Sequence, residues 1–125
     1  MARILLVEDN QMNRDMLSRR LTRKGFEVQI AVDGWDGITK AHSESPHLIL
    51  MDLRMPEMDG FEAVKFLKAE EATRSIPIIV LTACVLARDK ERALEAGVDD
   101  FDIKPIQFSR LVEKIHRLLA RGNDQ

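Results

Sequence analysis

The sequence has one cysteine, Cys84, so no disulfide can form within the chain. It has no apolar run approaching the roughly 18 residues of a membrane span. No long apolar segment with a cleavage site follows Met1, so no signal peptide is expected. The formal net charge of -2 provides no global attraction to nucleic acid or to an anionic membrane. No glycine-rich phosphate loop follows the first apolar run, which argues against a nucleotide-binding domain. The three histidines, His42, His47 and His116, fall on different elements and make no metal-ligand spacing. Linkers, repeats and low-complexity segments are also missing. What is left is a 125-residue chain with 45% apolar residues, enough for one domain with a real core. A cytoplasmic protein without membrane insertion is the simplest expectation.

Short all-apolar runs that end in polar residues dominate the pattern. Ile4 to Val7 runs into Glu8-Asp9, Leu48 to Met51 into Asp52, and Ile78 to Leu81 into Thr82. Continuous apolar runs of this length suit strands covered on both faces. Phe26, Val28 and Ile30 alternate, as in a strand with one more solvated face. Asp99 to Ile103 is a fifth strand, less apolar and nearer an edge, and it ends at Lys104-Pro105.

Helical patterns fill the gaps. Asn10 caps the first, with Met12, Met16, Leu17 and Leu21 read as one apolar face and Gly25 as its stop. Trp35, Ile38 and Ala41 space the second, with Trp35 read as a packing residue. Phe61, Val64 and Leu67 mark the third, behind Asp59-Gly60. The fourth runs from Leu86 to Ala96 with only Leu86 and Leu94 as large anchors, and stops at Gly97. Such a helix would be loosely held. Phe108, Leu111, Val112, Ile115, Leu118 and Leu119 give the clearest amphipathic helix. Arg121 to Gln125 reads as a polar tail. Five strands alternating with five helices indicate a parallel sheet covered on both faces, an α/β fold in a single domain.

In such a sheet the strand ends share one edge, where open α/β folds place ligands. Glu8, Asp9, Asp52, Thr82 and Lys104 would therefore converge. Clustered carboxylates resist joint ionisation, and a hard divalent cation relieves them. An ionised Asp can attack phosphorus, and the transferring phosphoryl oxygens need positive charge or donors. The pattern points to phosphoryl transfer carried out by positioning and electrostatics.

These motifs, taken together, resemble the receiver domain of two-component response regulators. They are Glu8-Asp9, the run Met51-Asp52-Leu53-Arg54-Met55-Pro56-Glu57-Met58-Asp59-Gly60, Leu81-Thr82-Ala83 and Lys104-Pro105. The likeness covers Arg3 to about Ala120, which gives a receiver domain over 1–121 and a tail over 122–125. It implies a flavodoxin-like, doubly wound five-stranded sheet in the order 2-1-3-4-5, as in single-domain chemotaxis regulators. It implies Asp52 as phosphoacceptor, and Mg²⁺ (with Mn²⁺ as the substitute) held by Asp9, Asp52 and the backbone carbonyl of Arg54, with Glu8 acting through water. Thr82, Lys104 and Phe101 would stabilise the phosphoryl group and carry the switch, and the bond before Pro105 would be cis. From the residues alone, trans is favoured for any X-Pro bond.

Two positions depart from the family's commoner residues: Glu8 stands where an Asp is frequent, and Phe101 where Tyr is frequent. Arg54 and Cys84 occupy positions that vary in the family and are associated with tuning dephosphorylation. Cys84 itself reads as a small inert residue. The basic helix 1, with Arg14, Arg19, Arg20, Arg23 and Lys24, reads either as favourable charge near a helix C-terminus or as a docking face.

The resemblance implies a signalling switch that catalyses only its own phosphorylation and dephosphorylation. Its partners would be a sensor histidine kinase or histidine phosphotransfer protein and a downstream protein target, met through helix 4, strand 5 and helix 5, with no direct nucleic-acid contact. A stand-alone receiver is the simplest case, and the receiver of a larger regulator the next. The alternatives are a pseudo-receiver that binds without phosphorylation and a haloacid-dehalogenase-type phosphatase. The first would be expected to lack one of Asp9, Asp52, Thr82 or Lys104. The second would carry an Asp where Arg54 stands.

Overall fold

In the computed structural model, which describes residues 1–83 and 86–123, strands and helices alternate from end to end. The elements are β1 (Arg3–Val7), α1 (Gln11–Arg23), β2 (Glu27–Ala31), α2 (Gly34–Glu44), β3 (Leu48–Asp52), α3 (Gly60–Ala69), β4 (Ile78–Thr82), α4 (Ala87–Ala96), β5 (Asp100–Ile103) and α5 (Phe108–Asn123). The strands form one parallel sheet in the order β2-β1-β3-β4-β5. β5 is an edge strand, as its weaker apolar pattern implied.

The three central strands owe their all-apolar sequences to being buried from both sides. Alternate residues feed two cores. Leu5, Val7, Ile49, Met51, Ile78 and Val80 pack with Ile38, Phe61, Val64 and Leu67 from α2 and α3. Ile4, Leu6, Leu48, Leu50, Ile79 and Leu81 pack with Leu17, Leu21, Leu111, Ile115 and Leu118 from α1 and α5. At roughly 1.5–3 kcal/mol per buried large side chain, this double layer is what holds the sheet edge rigid.

Helix starts follow their caps. Asn10 Oδ1 accepts from Asn13 N–H, and Asp33 Oδ1 from Asp36 N–H. Asp59 and Glu62 form a reciprocal capping box at α3. Gly25 and Gly97 sit at positive φ where α1 and α4 end.

Several expected packing residues are displaced. Met12 is 79% exposed and Met16 is also exposed, while Leu17 and Leu21 are buried. Five residues separate Met12 from Leu17, about 140° around a helix of 3.6 residues per turn, so they cannot share a face. Trp35 does pack, but at the surface. It is 53% exposed and meets Phe66 of α3 edge-on at 6.1 Å. α2 instead approaches the sheet through Gly37, where a Cβ would lie 2.9 Å from Val7 Cγ2. On α4, Leu94 is 82% exposed and Leu86 is exposed at the cap, so neither anchors the helix. Its buried row is Asp89, Ala93 and Ala96. α5 continues to Asn123, into the stretch read as a polar tail. Cys84 lies outside the described residues.

Candidate phosphoryl-transfer site at the sheet edge

Register brings the chemistry together. Val7 pairs with Met51, Asp52 with Leu81, and Thr82 with Ile103, so the residues that follow each strand emerge level. Backbone bonds extend the alignment past the strands. Glu8 N–H donates to Ala31 C=O, Leu53 N–H to Leu81 C=O, and Lys104 N–H to Thr82 C=O at 2.8 Å.

Glu8, Asp9 and Asp52 each present a carboxylate oxygen within 4.8 Å of the others. Glu8 is fully buried, Asp52 is 4% exposed, and Asp9 is open to solvent. Lys104 bridges two of them, with Nζ 2.8 Å from Asp52 Oδ1 and 3.2 Å from Glu8 Oε1. Glu8 is further fixed by Asn10 N–H donating to Oε2, and by Arg14 Nη1 donating to its carbonyl oxygen at 2.9 Å.

The charges do not balance: three carboxylates face one ammonium. Burial pushes the Asp52 carboxyl up, the Lys104 hydrogen bond pulls it down, and the negative charge of Glu8 pushes it up again, leaving it at about 6. Burial of Lys104 works against its charge, but the hydrogen bond and charge of Asp52, and then Glu8, outweigh it and hold the ammonium above its ordinary value. Hard oxygen donors in excess of local positive charge are the donor set of a divalent cation, and the residues present fit one.

The other expected site residues surround this cluster or lie one layer behind it. Thr82 ends β4 and is buried. Arg54 is exposed on the loop two residues beyond Asp52. Phe101 is half-buried in β5, edge-on to Phe61 with ring centroids 6.0 Å apart. The Lys104–Pro105 peptide bond is cis, as the resemblance implied and against the general preference.

Sequence reasoning missed two contributors. Gly60 N–H donates to Leu53 C=O at 2.8 Å, and a Cβ at Gly60 would lie 2.6 Å from the Asp52 carbonyl oxygen. Asp59 caps α3 and also receives Arg92 from α4. The Asp59-Gly60 pair was readable as a helix start, but the close approach to β3 has no local signal.

Known proteins share this arrangement. A sequence profile described as the response regulator receiver domain matches residues 4–116. The Brucella ovis "Polar-differentiation response regulator DivK" is 34% identical over 117 residues, 94% of this chain and 95% of the relative. The Synechocystis "DNA-binding dual master transcriptional regulator RpaA" is 36% identical over 97% of this chain, which spans only 50% of that relative's length. Among solved structures, the receiver domain of the Pseudomonas aeruginosa sensor histidine kinase PA1611, described with a magnesium ion coordinated in the active-site cleft, superposes with a TM-score of 0.88. It is 36% identical and covers 95% of this chain, which covers 98% of it. With its sheet order and its acidic edge, the chain belongs to the response regulator receiver domain family.

Proposed function

We propose that this receiver is a phosphorylation-dependent switch in which Asp52 accepts a phosphoryl group from a phosphohistidine on a sensor kinase or phosphotransfer protein. The observation that carries this reading is the Lys104 ammonium seated between Asp52 and Glu8 at the carboxyl edge of the sheet. A carboxylate oxygen of Asp52 attacks phosphorus. The P–O bond forms as the P–N bond to the donor imidazole breaks, and the imidazole keeps the electron pair and takes a proton. Asp52 is the only one of the three acids that is both buried and at the end of the central strand, so its oxygens have a fixed direction of approach.

Asp9, Asp52 and the Arg54 carbonyl would hold Mg²⁺, with Glu8 acting through water. Mn²⁺ would suit the same oxygen donors. The bound cation supplies positive charge that lowers the repulsion between the acids and the incoming phosphoryl oxygens. Lys104 is placed to pair with a phosphoryl oxygen once Asp52 is modified. The Thr82 hydroxyl, on the neighbouring strand end, is assigned to another.

Phosphorylation adds negative charge and acceptor oxygens at this edge and biases an existing two-state equilibrium. Thr82 and Phe101 carry the change to the face of α4, β5 and α5, which meets the downstream partner. The basic face of α1 is assigned to the phosphodonor. The protein so acts on itself alone, with no other substrate. Among the described residues no helix is long and apolar enough to cross a membrane.

The test is intact-protein mass after incubation with acetyl phosphate and Mg²⁺, beside Asp52→Asn. One phosphoryl adduct that requires the metal and is absent from the variant supports the reading. No adduct on the folded wild-type protein favours a binding module without phosphorylation. Thr82→Ala is expected to take up the phosphoryl group yet lose partner binding. Loss of uptake in that variant would show that Thr82 is misassigned.

A further inference from the structure

Little apolar surface holds α4 in place. Its buried apolar side chains are two alanines, Ala93 and Ala96, and it packs chiefly on α3. The side chain that reaches across is Arg92. Its Nη2 donates to Asp59 Oδ2 at 2.9 Å, and its guanidinium carbon lies 4.9 Å from the centre of the Phe61 ring. Phe61 in turn meets the Phe101 ring edge-on at 87°. Asp59 and Phe61 flank Gly60, the residue closed down on the backbone of Asp52 and Leu53. One arginine on α4 therefore grips both neighbours of the glycine that contacts the proposed phosphoacceptor's own backbone.

We propose that Arg92 is a positioning residue, a latch that sets α4 and, through Phe61, Phe101 against the first turn of α3. Movement of the loop after Asp52 then reaches α4 through Gly60 and this latch, in addition to any route through Thr82. The transmission half of this inference rests on the phosphorylation reading above, whereas the latch does not. A half-exposed ion pair and one cation–π contact are each weak, so the latch biases α4 without locking it. A contact of that strength can be overridden by a phosphoryl group, as a switch requires.

The experiment is amide hydrogen exchange on the unphosphorylated chain, followed by phosphoryl uptake from acetyl phosphate with Mg²⁺. In Arg92→Gln, peptides from α4 are expected to exchange roughly three- to tenfold faster while those of α1 and α5 stay as in wild type. Phe61→Leu keeps apolar bulk but removes the ring face, and should loosen α4 less. Arg92→Lys keeps the ion pair and should fall between wild type and Arg92→Gln. Unchanged α4 exchange in Arg92→Gln overturns the latch.

If transmission runs through the latch, phosphorylation and the latch oppose each other, so releasing it should speed uptake by roughly two- to fivefold while lowering the thermal midpoint by only about a few degrees. Equal uptake with faster α4 exchange overturns the transmission and leaves the latch. A folded wild-type protein that takes up no phosphoryl group overturns the Asp52 reading and the transmission with it, and the exchange result then decides the latch by itself.

Discussion

Gly60 and Asp52 are in backbone contact: a Cβ at position 60 would sit 2.6 Å from the Asp52 carbonyl oxygen and 2.9 Å from Leu53 Cα. Both distances are below any ordinary carbon contact, and the obstacles are backbone atoms that cannot rotate away. Gly60→Ala should therefore push α3 from the strand end and disturb the direction of the Asp52 carboxylate. The expected result is a loss of stability of about 1–3 kcal/mol by urea unfolding and a phosphoryl-uptake rate reduced by more than tenfold. Normal uptake in a folded Gly60→Ala protein would mean that the loop absorbs the strain without moving Asp52.

The raised Asp52 carboxyl makes metal-free stability depend on pH. Its value is about 6 in the fold against 3.8 ordinarily. Between these values the folded state holds the proton and the unfolded state does not. The stabilising contribution is thus complete below pH 4 and is lost as pH rises through 6. The size is on the order of 2–3 kcal/mol. In EDTA, Asp52→Asn should be more stable than wild type above pH 6, and the two curves should converge near pH 4. Saturating Mg²⁺ should close the gap by stabilising only the wild type. Parallel urea-unfolding curves across pH would refute the raised value.

How much of this was legible beforehand follows from the range of each interaction. The strands were readable because burial on both faces leaves an unbroken apolar run. The site was readable because parallel strands put every C-terminal end on one edge. Helix faces were read less well. The Met12–Leu17 row mistakes a five-residue spacing for one face, and Trp35, spaced with Ile38 and Ala41, packs on Phe66 at the surface, while α2 approaches the sheet through Gly37. Arg92 on Asp59 and Phe61 leaves no trace in the pattern, since contacts spanning 33 and 31 residues of chain have no sequence period.

Lys104 occupies space near two of the acids that a divalent cation would use. A second positive charge at such short range disfavours the metal, so the two compete for the same carboxylates. Lys104→Met is expected to bind Mg²⁺ several-fold more tightly by calorimetry, and to be less stable than wild type in EDTA at neutral pH. Weaker Mg²⁺ binding would instead make Lys104 the residue that holds the carboxylates in metal-binding geometry.

Asp99 separates the scaffold from the site. Its Oδ2 accepts from Ile78 N–H at 2.8 Å and from Lys68 Nζ at 3.0 Å, tying the start of β4 to α3 and to the entry of β5. All of this lies at the amino end of the sheet, a full strand length from Asp52. Asp99→Ala leaves a partly buried backbone N–H without its acceptor and removes the carboxylate from Lys68, which keeps the Arg74 and Ile76 carbonyls. The expected cost is about 2 kcal/mol. Phosphoryl uptake at a temperature where the variant is folded should match wild type, because the strand ends that carry Glu8, Asp52, Thr82 and Lys104 are held by their own register and by the two cores. A large fall in uptake without a fall in stability would mean that β5 slides as a unit and that its amino end, through Asp99, sets the position of Lys104.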